Sequence, residues 1–359
     1  MTQHEQVRNP RCVEEIDTAW FQRILADKGP GPVQEAKVLE VKKGTATKIR
    51  CEITYGGEAS NVTQTVWIKT GFEDHSHTIG TDLVYAGEVF YYQNVAQRYA
   101  TRTPECLYAA YEPDTGNSVL VLKDMLSLSA RFMEPVETMS PDMTQAALRG
   151  IARYQASSRR DSFLTEAPLL AGGGTWITSN VNGWIFSPEN YAIQSKRPRF
   201  KCLPPALRDQ QLLLRTHEAL ESNWWTRDPY CVAHGDAHVG QAYVLPDGEV
   251  RLIDWQLVLK ASWAYDYSYF MISSLSIADR RHLEKDMLRF HLSELAAYGV
   301  DPPDFDTAWL EYRANAFHGI SWALCIPAMQ CEENLTAMAE RFAAALVDLN
   351  SIEAVHGHA

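Results

Sequence analysis

The chain has 359 residues, 46% hydrophobic and 22% charged, which is ordinary globular composition with ample material for a core. Its formal net charge of −12 argues against a nucleic-acid partner, because nothing offsets phosphate repulsion, and mildly favours a neutral or cationic substrate. No apolar run approaches the ~20 residues of a membrane span, the start is polar, and the seven cysteines are scattered without CxxC spacing, so a cytoplasmic protein with reduced thiols and no membrane partner is expected.

Residues 14–27 place Ile16, Trp20 and Ile24, with Phe21 and Leu25 beside them, at helical spacing, and Gly29-Pro30-Gly31-Pro32 stops the helix. Strand-like runs follow at 33–41, 48–55 and 62–70, the second alternating Ile49, Cys51, Ile53 and Tyr55 on one face. Between the first two lies Gly44-Thr45-Ala46-Thr47. A glycine there lets backbone N–H groups approach phosphate oxygens, and serves equally as a plain hairpin turn. Lys69 closes the third run. On a helix predicted over 81–100, Val84, Tyr91 and Val95 share a face, and Glu88 falls inside that stripe. A carboxylate on a buried stripe needs a cation, for which Lys69 is the candidate. The alternatives are a solvated strand-end lysine and a glutamate at the stripe's edge. Strands at 106–111 and 118–122 then lead to Lys123-Asp124-Met125.

Pro141 opens a helix through residue 157. Residues 160–203 are poorly periodic, and Trp176 and Trp184 within them are pocket walls or packing. A helix is predicted over 203–223, with His217 read as a core or surface histidine. Residues 264–274 also read as helix. Three helical patterns fill 278–355, with Trp309, Phe317 and Trp322 as core aromatics by default, and His356 and His358 read as a frayed tail.

The chemistry concentrates between Cys231 and Tyr267. His234-Gly235-Asp236-Ala237-His238-Val239-Gly240-Gln241 is followed by runs at 242–245 and 250–253, joined by the turn residues Pro246-Asp247-Gly248-Glu249, and then by Asp254-Trp255-Gln256. A tight hairpin brings its ends together, so Asp236 and Asp254 face one site. Two carboxylates and an amide are the equipment of phosphoryl transfer: one carboxylate takes the proton of an attacking hydroxyl, and the other groups hold a metal. A zinc site built on His234 and His238 is disfavoured by Gly235 and Gly240, which argue against a helix. A glycosidase carboxylate pair leaves Lys69, Glu88 and the strands before them unexplained.

His-Gly-Asp, an amide five residues past the Asp, and a strand ending in Ile253-Asp254 together resemble the aminoglycoside phosphotransferase and choline kinase superfamily. Asp254-Trp255-Gln256 resembles its ecdysteroid kinase-like branch, which usually reads Asp-Phe-Gln. Two departures stand out: the family has Asn where this chain has Gln241, and often His where it has Gln155. The resemblance implies an α+β, two-lobed, protein-kinase-like fold. A small antiparallel-sheet lobe with one long helix would span 1–122, a linker 123–128, and a larger, mainly helical lobe 129–359.

It implies ATP and Mg2+ as cofactors and a small-molecule alcohol as acceptor. Asp236 would be catalytic, Gln241 and Asp254 would hold the metal, and Gly44, Thr45, Ala46, Thr47, Lys69, Glu88, Lys123 and Met125 would bind the nucleotide. His238, Trp263 and Trp322 are candidate substrate contacts, and Asp266 a brace for the catalytic loop. An apolar, sterol-like or amino alcohol is the expected acceptor class. The alternatives are a pseudokinase-like binder and an antibiotic phosphotransferase.

Overall fold

The alternation read at 48–55 is a strand in a computed structural model that describes residues 7–26, 28–44, 46–57, 62–73, 81–167, 170, 183–225, 227, 228 and 230–357. Strands β1 (Val33–Lys42), β2 (Thr47–Tyr55), β3 (Val62–Thr70), β4 (Cys106–Glu112) and β5 (Asn117–Lys123) form one antiparallel sheet in the order β1-β2-β3-β5-β4. Helix α1 (Thr18–Leu25) turns Trp20, Phe21, Ile24 and Leu25 into a core shared with Ile49, Cys51, Ile53, Val66, Ile68, Val119 and Val121. Its start is later than the spacing implied because Asp17 caps it, accepting from Trp20 N at 2.7 Å.

Helix α2 (Thr81–Phe90) is shorter than the expected 81–100. Its last turn widens over Tyr91–Val95. Tyr91 and Tyr92 are adjacent yet both buried, and the wider turn lets both face inward.

These strands and helices make one compact unit, Met1–Val95 with Thr103–Ala130. The second unit comprises Ala96–Arg102 with Arg131–Ala359. It is built on α3 (Pro141–Ser158), α4 (Gln210–Leu220), α5 (Ala264–Ser274), α6 (Ile277–Ala297), α7 (Phe305–Asn315), α8 (Glu332–Asp348) and α9 (Ser351–His356). Two small antiparallel sheets lie among them. One has the strand order β6-β8-β9 (Arg131–Phe132, Ala242–Val244, Val250–Leu252), and the other pairs β7 (Tyr230–Ala233) with β10 (Leu259–Ser262).

Helix α5 is buried along its whole length. The helix expected over 203–223 begins only at Gln210: Pro204 and Pro205 hold the preceding residues in short turns, and Asp209 caps the start by accepting from Leu212 N at 2.8 Å. His356 is not frayed. It closes α9 with its Nε2 3.0 Å from Thr216 Oγ1, while His358 lies outside the described residues. All seven cysteines are free thiols, and among the described residues no helix is long and apolar enough to cross a membrane.

Candidate active site

In the sheet unit, Lys69 Nζ lies 2.6 Å from Glu88 Oε2, with side chains 11% and 2% exposed. A charge pair this dry persists because each member removes the other's desolvation penalty, and removing one would leave a buried orphan charge. At the tip between β1 and β2, Ala46 and Thr47 are buried and Thr45 lies outside the described residues. A Cβ on Gly44 would meet only Ala46 O, at 3.6 Å, so the backbone does not itself demand glycine there.

Lys123 ends β5. Its N–H is spent on Glu105 O at 2.9 Å and its ammonium pairs with Glu105, so any adenine contact falls to other main-chain groups of the junction. Met125 is buried, and its carbonyl accepts from Ala130 N. Asp124 is buried, ion-paired with Arg50 Nε at 2.7 Å, and accepts from Trp67 Nε1 and Leu126 N, which pins the junction to β2 and β3.

In the helical unit, β7 delivers His234, Gly235 and Asp236 into a loop. Gly235 has φ +86°, and a Cβ there would overlap the carbonyl oxygen of Leu257, so the position requires glycine twice over. Both histidines are fixed by their own loop. His234 Nδ1 accepts from Asp236 N at 3.2 Å, which leaves Nε2–H to donate to Ile253 O at 2.8 Å. His238 Nδ1 accepts from Gly240 N at 3.0 Å, which leaves Nε2–H facing Asp236 Oδ2 at 3.5 Å. Burial lowers the His234 pKa against the opposing pull of Asp266 and Asp236, so it serves as an uncharged tie between the loop and the end of β9.

Gln241 closes the turn. Its Nε2 donates to Asp236 Oδ2 at 3.0 Å, and its carbonyl accepts from Ile253 N at 2.9 Å, which brings Asp254 beside it. Asp254 adopts left-handed backbone (φ 65°, ψ 62°), a strained conformation for a non-glycine residue and common where side chains are aimed for function. Asp236 is 22% exposed at its side chain. Burial raises its pKa, but His238, the Gln241 amide and His234 outweigh that, and the net direction is down. Among the described residues no hydrogen bond reaches its Oδ1. Asp266, wholly buried, accepts from His234 N at 2.6 Å and Gly235 N at 3.2 Å.

The candidate substrate contacts divide. Trp322 and Tyr269 each stand perpendicular to the His238 ring, with ring centroids 5.0 and 6.0 Å from it. Trp263 does not join them. Its ring packs on His291 and Tyr267 and its indole N–H goes to Glu311 at 2.5 Å, and its carbonyl accepts from Gln155 Nε2, so it is packing between α3, α6 and α7. Gln155 completes that layer with Oε1 3.0 Å from His291 Nε2. His217 is core, stacked on Phe186 at 4.5 Å. Trp184 is half-buried and Trp176 lies outside the described residues.

Residues 210–299, which run from α4 through α6 and contain the whole Asp236 loop, match the ecdysteroid kinase-like family. No curated protein matches the chain in sequence. Among solved structures it is similar to a Plasmodium vivax ethanolamine kinase (13% identity, 93% of this chain and 89% of that one, TM-score 0.54). It is also similar to a microcompartment-associated aminopropanol kinase (14% identity, 89% and 94%, TM-score 0.50). At these identities the likeness is one of fold. The chain shares the fold of these two small-molecule kinases, the fold that the resemblance around His-Gly-Asp implied.

Proposed function

We propose that the chain is an ATP- and magnesium-dependent phosphotransferase acting on a hydroxyl of a small molecule. The observation that carries this is the half-clamped Asp236. Gln241 and His238 both address Oδ2, and Oδ1 is left to accept from an incoming group. In that role Oδ1 takes the acceptor's hydroxyl proton as the acceptor oxygen bonds to the γ-phosphorus. The bond from that phosphorus to the bridging oxygen of the nucleotide breaks, releasing nucleoside diphosphate. Lys69, oriented by Glu88, neutralises charge on the nucleotide's phosphates.

The donor set beside Asp236 suits a hard divalent cation, because the carboxylate of Asp254 and the amide oxygen of Gln241 are both oxygen ligands. Such an ion supplies neutralisation of phosphate charge. Gln241 is turned for this by spending its nitrogen on Asp236.

The rings touching His238 are aromatic, which supports an apolar or amino-alcohol acceptor over a polycationic antibiotic. The relatives named for ethanolamine and aminopropanol point the same way.

The test is ATP depletion across a panel of sterol-like alcohols, amino alcohols and aminoglycosides, run on the wild type and Asp236→Ala. Turnover on one class should fall by about three or more orders of magnitude in the variant, with nucleotide affinity nearly intact. Equal turnover in the two proteins would end the assignment.

A further inference from the structure

Tyr154, on α3, belongs to none of the groups considered so far, yet it touches both arms of the site. Its hydroxyl donates to Asp266 Oδ2 at 2.6 Å, and the same oxygen accepts from His234 N, while Oδ1 accepts from Gly235 N. Its ring meets the edge of Trp255 at 5.3 Å, and Trp255, the residue after Asp254, lies 4.5 Å from the His234 ring. All four residues are buried, with Tyr154 at 2% exposure. We infer that Tyr154 is a positioning residue that holds the loop bearing Asp236 and the strand end bearing Asp254 in one register, through Asp266 on one side and Trp255 on the other.

The hydroxyl matters because Asp266 has no ion pair among the described residues, and hydrogen bonds from Tyr154, His234 and Gly235 meet its carboxylate. Burial raises its pKa, and His234, Tyr154 and the His234 and Gly235 N–H groups oppose that rise. The other titratable groups facing it hold their charge state near neutrality. The Cys231 thiol and the Tyr265 phenol are pushed up by burial, His234 is pushed down, and Asp236 is lowered. If Asp266 takes a proton, the oxygen carrying it becomes a poorer acceptor for the loop's N–H groups. Without the Tyr154 hydroxyl the carboxyl protonates at higher pH, and the ionised form is less stable in the folded protein.

The proposal of a phosphotransferase gives this inference its meaning, but its test does not need turnover. Tyr154→Phe keeps the ring and loses one hydroxyl. Its melting midpoint should lie roughly 3–6 °C below wild type at about pH 8.5, and the gap should narrow by half or more at about pH 5.5. A gap equal at both pH values marks mere packing and overturns the inference. Tyr154→Leu, which also strips the ring from Trp255, should add a loss that does not vary with pH, and no added loss overturns the second arm.

Where the panel yields a substrate, the acid limb of the kcat profile should rise by about one pH unit in Tyr154→Phe with the nucleotide KM unchanged. An unmoved limb counts against the inference. A wild type without turnover on any alcohol strikes the phosphotransferase reading alone and leaves the melting result standing.

Discussion

Gln241 carries one methylene more than the asparagine of the family that the motif resembles, and the extra reach is used: it places the amide nitrogen on Asp236. An Asn at 241 would have to choose between that carboxylate and an ion. The expected outcome for Gln241→Asn is therefore turnover within about tenfold of the parent, measured as ADP release, and not activation. A gain above about a hundredfold from a near-silent parent would show that the native chain is a binder.

The residues readable in advance were those whose chemistry is carried by neighbours in the chain, namely the Asp236 loop and the strand that ends at Asp254. The Lys69–Glu88 pair was also readable, because Glu88 interrupts an apolar stripe. Tyr154 was not, since its partner is 112 positions away and a tyrosine on a helix's inner face looks like any other core aromatic. Trp263 is the opposite case. A tryptophan just after the motif invites a pocket role, and nothing local reveals that its N–H is bound to Glu311.

At the scale of elements, the hairpin β8–β9 follows its letters closely: Gly248 takes φ +84° at the turn, and the strands pair Ala242 with Leu252 and Val244 with Val250. Helix α5 begins and ends where its composition says. The failures are at ends decided by competing local bonds, such as the Asp209 cap of α4 and the widened turn after α2.

The loop between β7 and the turn at Val239–Gln241 is the most constrained element of the site, because Gly235 needs both positive φ and the space beside Leu257. Gly235→Ala should cost about 3 kcal/mol or more, read by urea unfolding. A change below about 1 kcal/mol would mean that the loop can relax without loss.

For the whole molecule, buried histidines weigh on the response to acid. His217, His291 and His318 are pushed down by burial from 6.5 to about 4, 3 and 3. The unfolded chain then binds protons that the folded chain refuses. Stability is complete above pH 6.5 and is lost as pH falls toward the folded values. Each histidine costs roughly 2 kcal/mol at about pH 5, and the melting midpoint should fall on the order of 10 °C between about pH 7 and pH 5. A midpoint level across that range would contradict the burial of these rings. Fold class was legible at this scale because the five strands of the large sheet all begin in the first third of the chain and helical periodicity dominates the rest, apart from short strands around the Asp236 loop. The surroundings of His238 were not, since the rings that meet it come from Tyr269 and Trp322, distant in the chain.

The short run Ala96–Arg102 groups with the helical unit, although the chain on either side of it belongs to the sheet unit. There Arg98 pairs with Asp161 and Arg102 with Glu249. The smaller unit is therefore not a contiguous gene segment. A fragment stopped at Ala130 would carry two arginines stripped of their carboxylates, and any grafting of one unit onto a relative must splice the polypeptide at three points, not one.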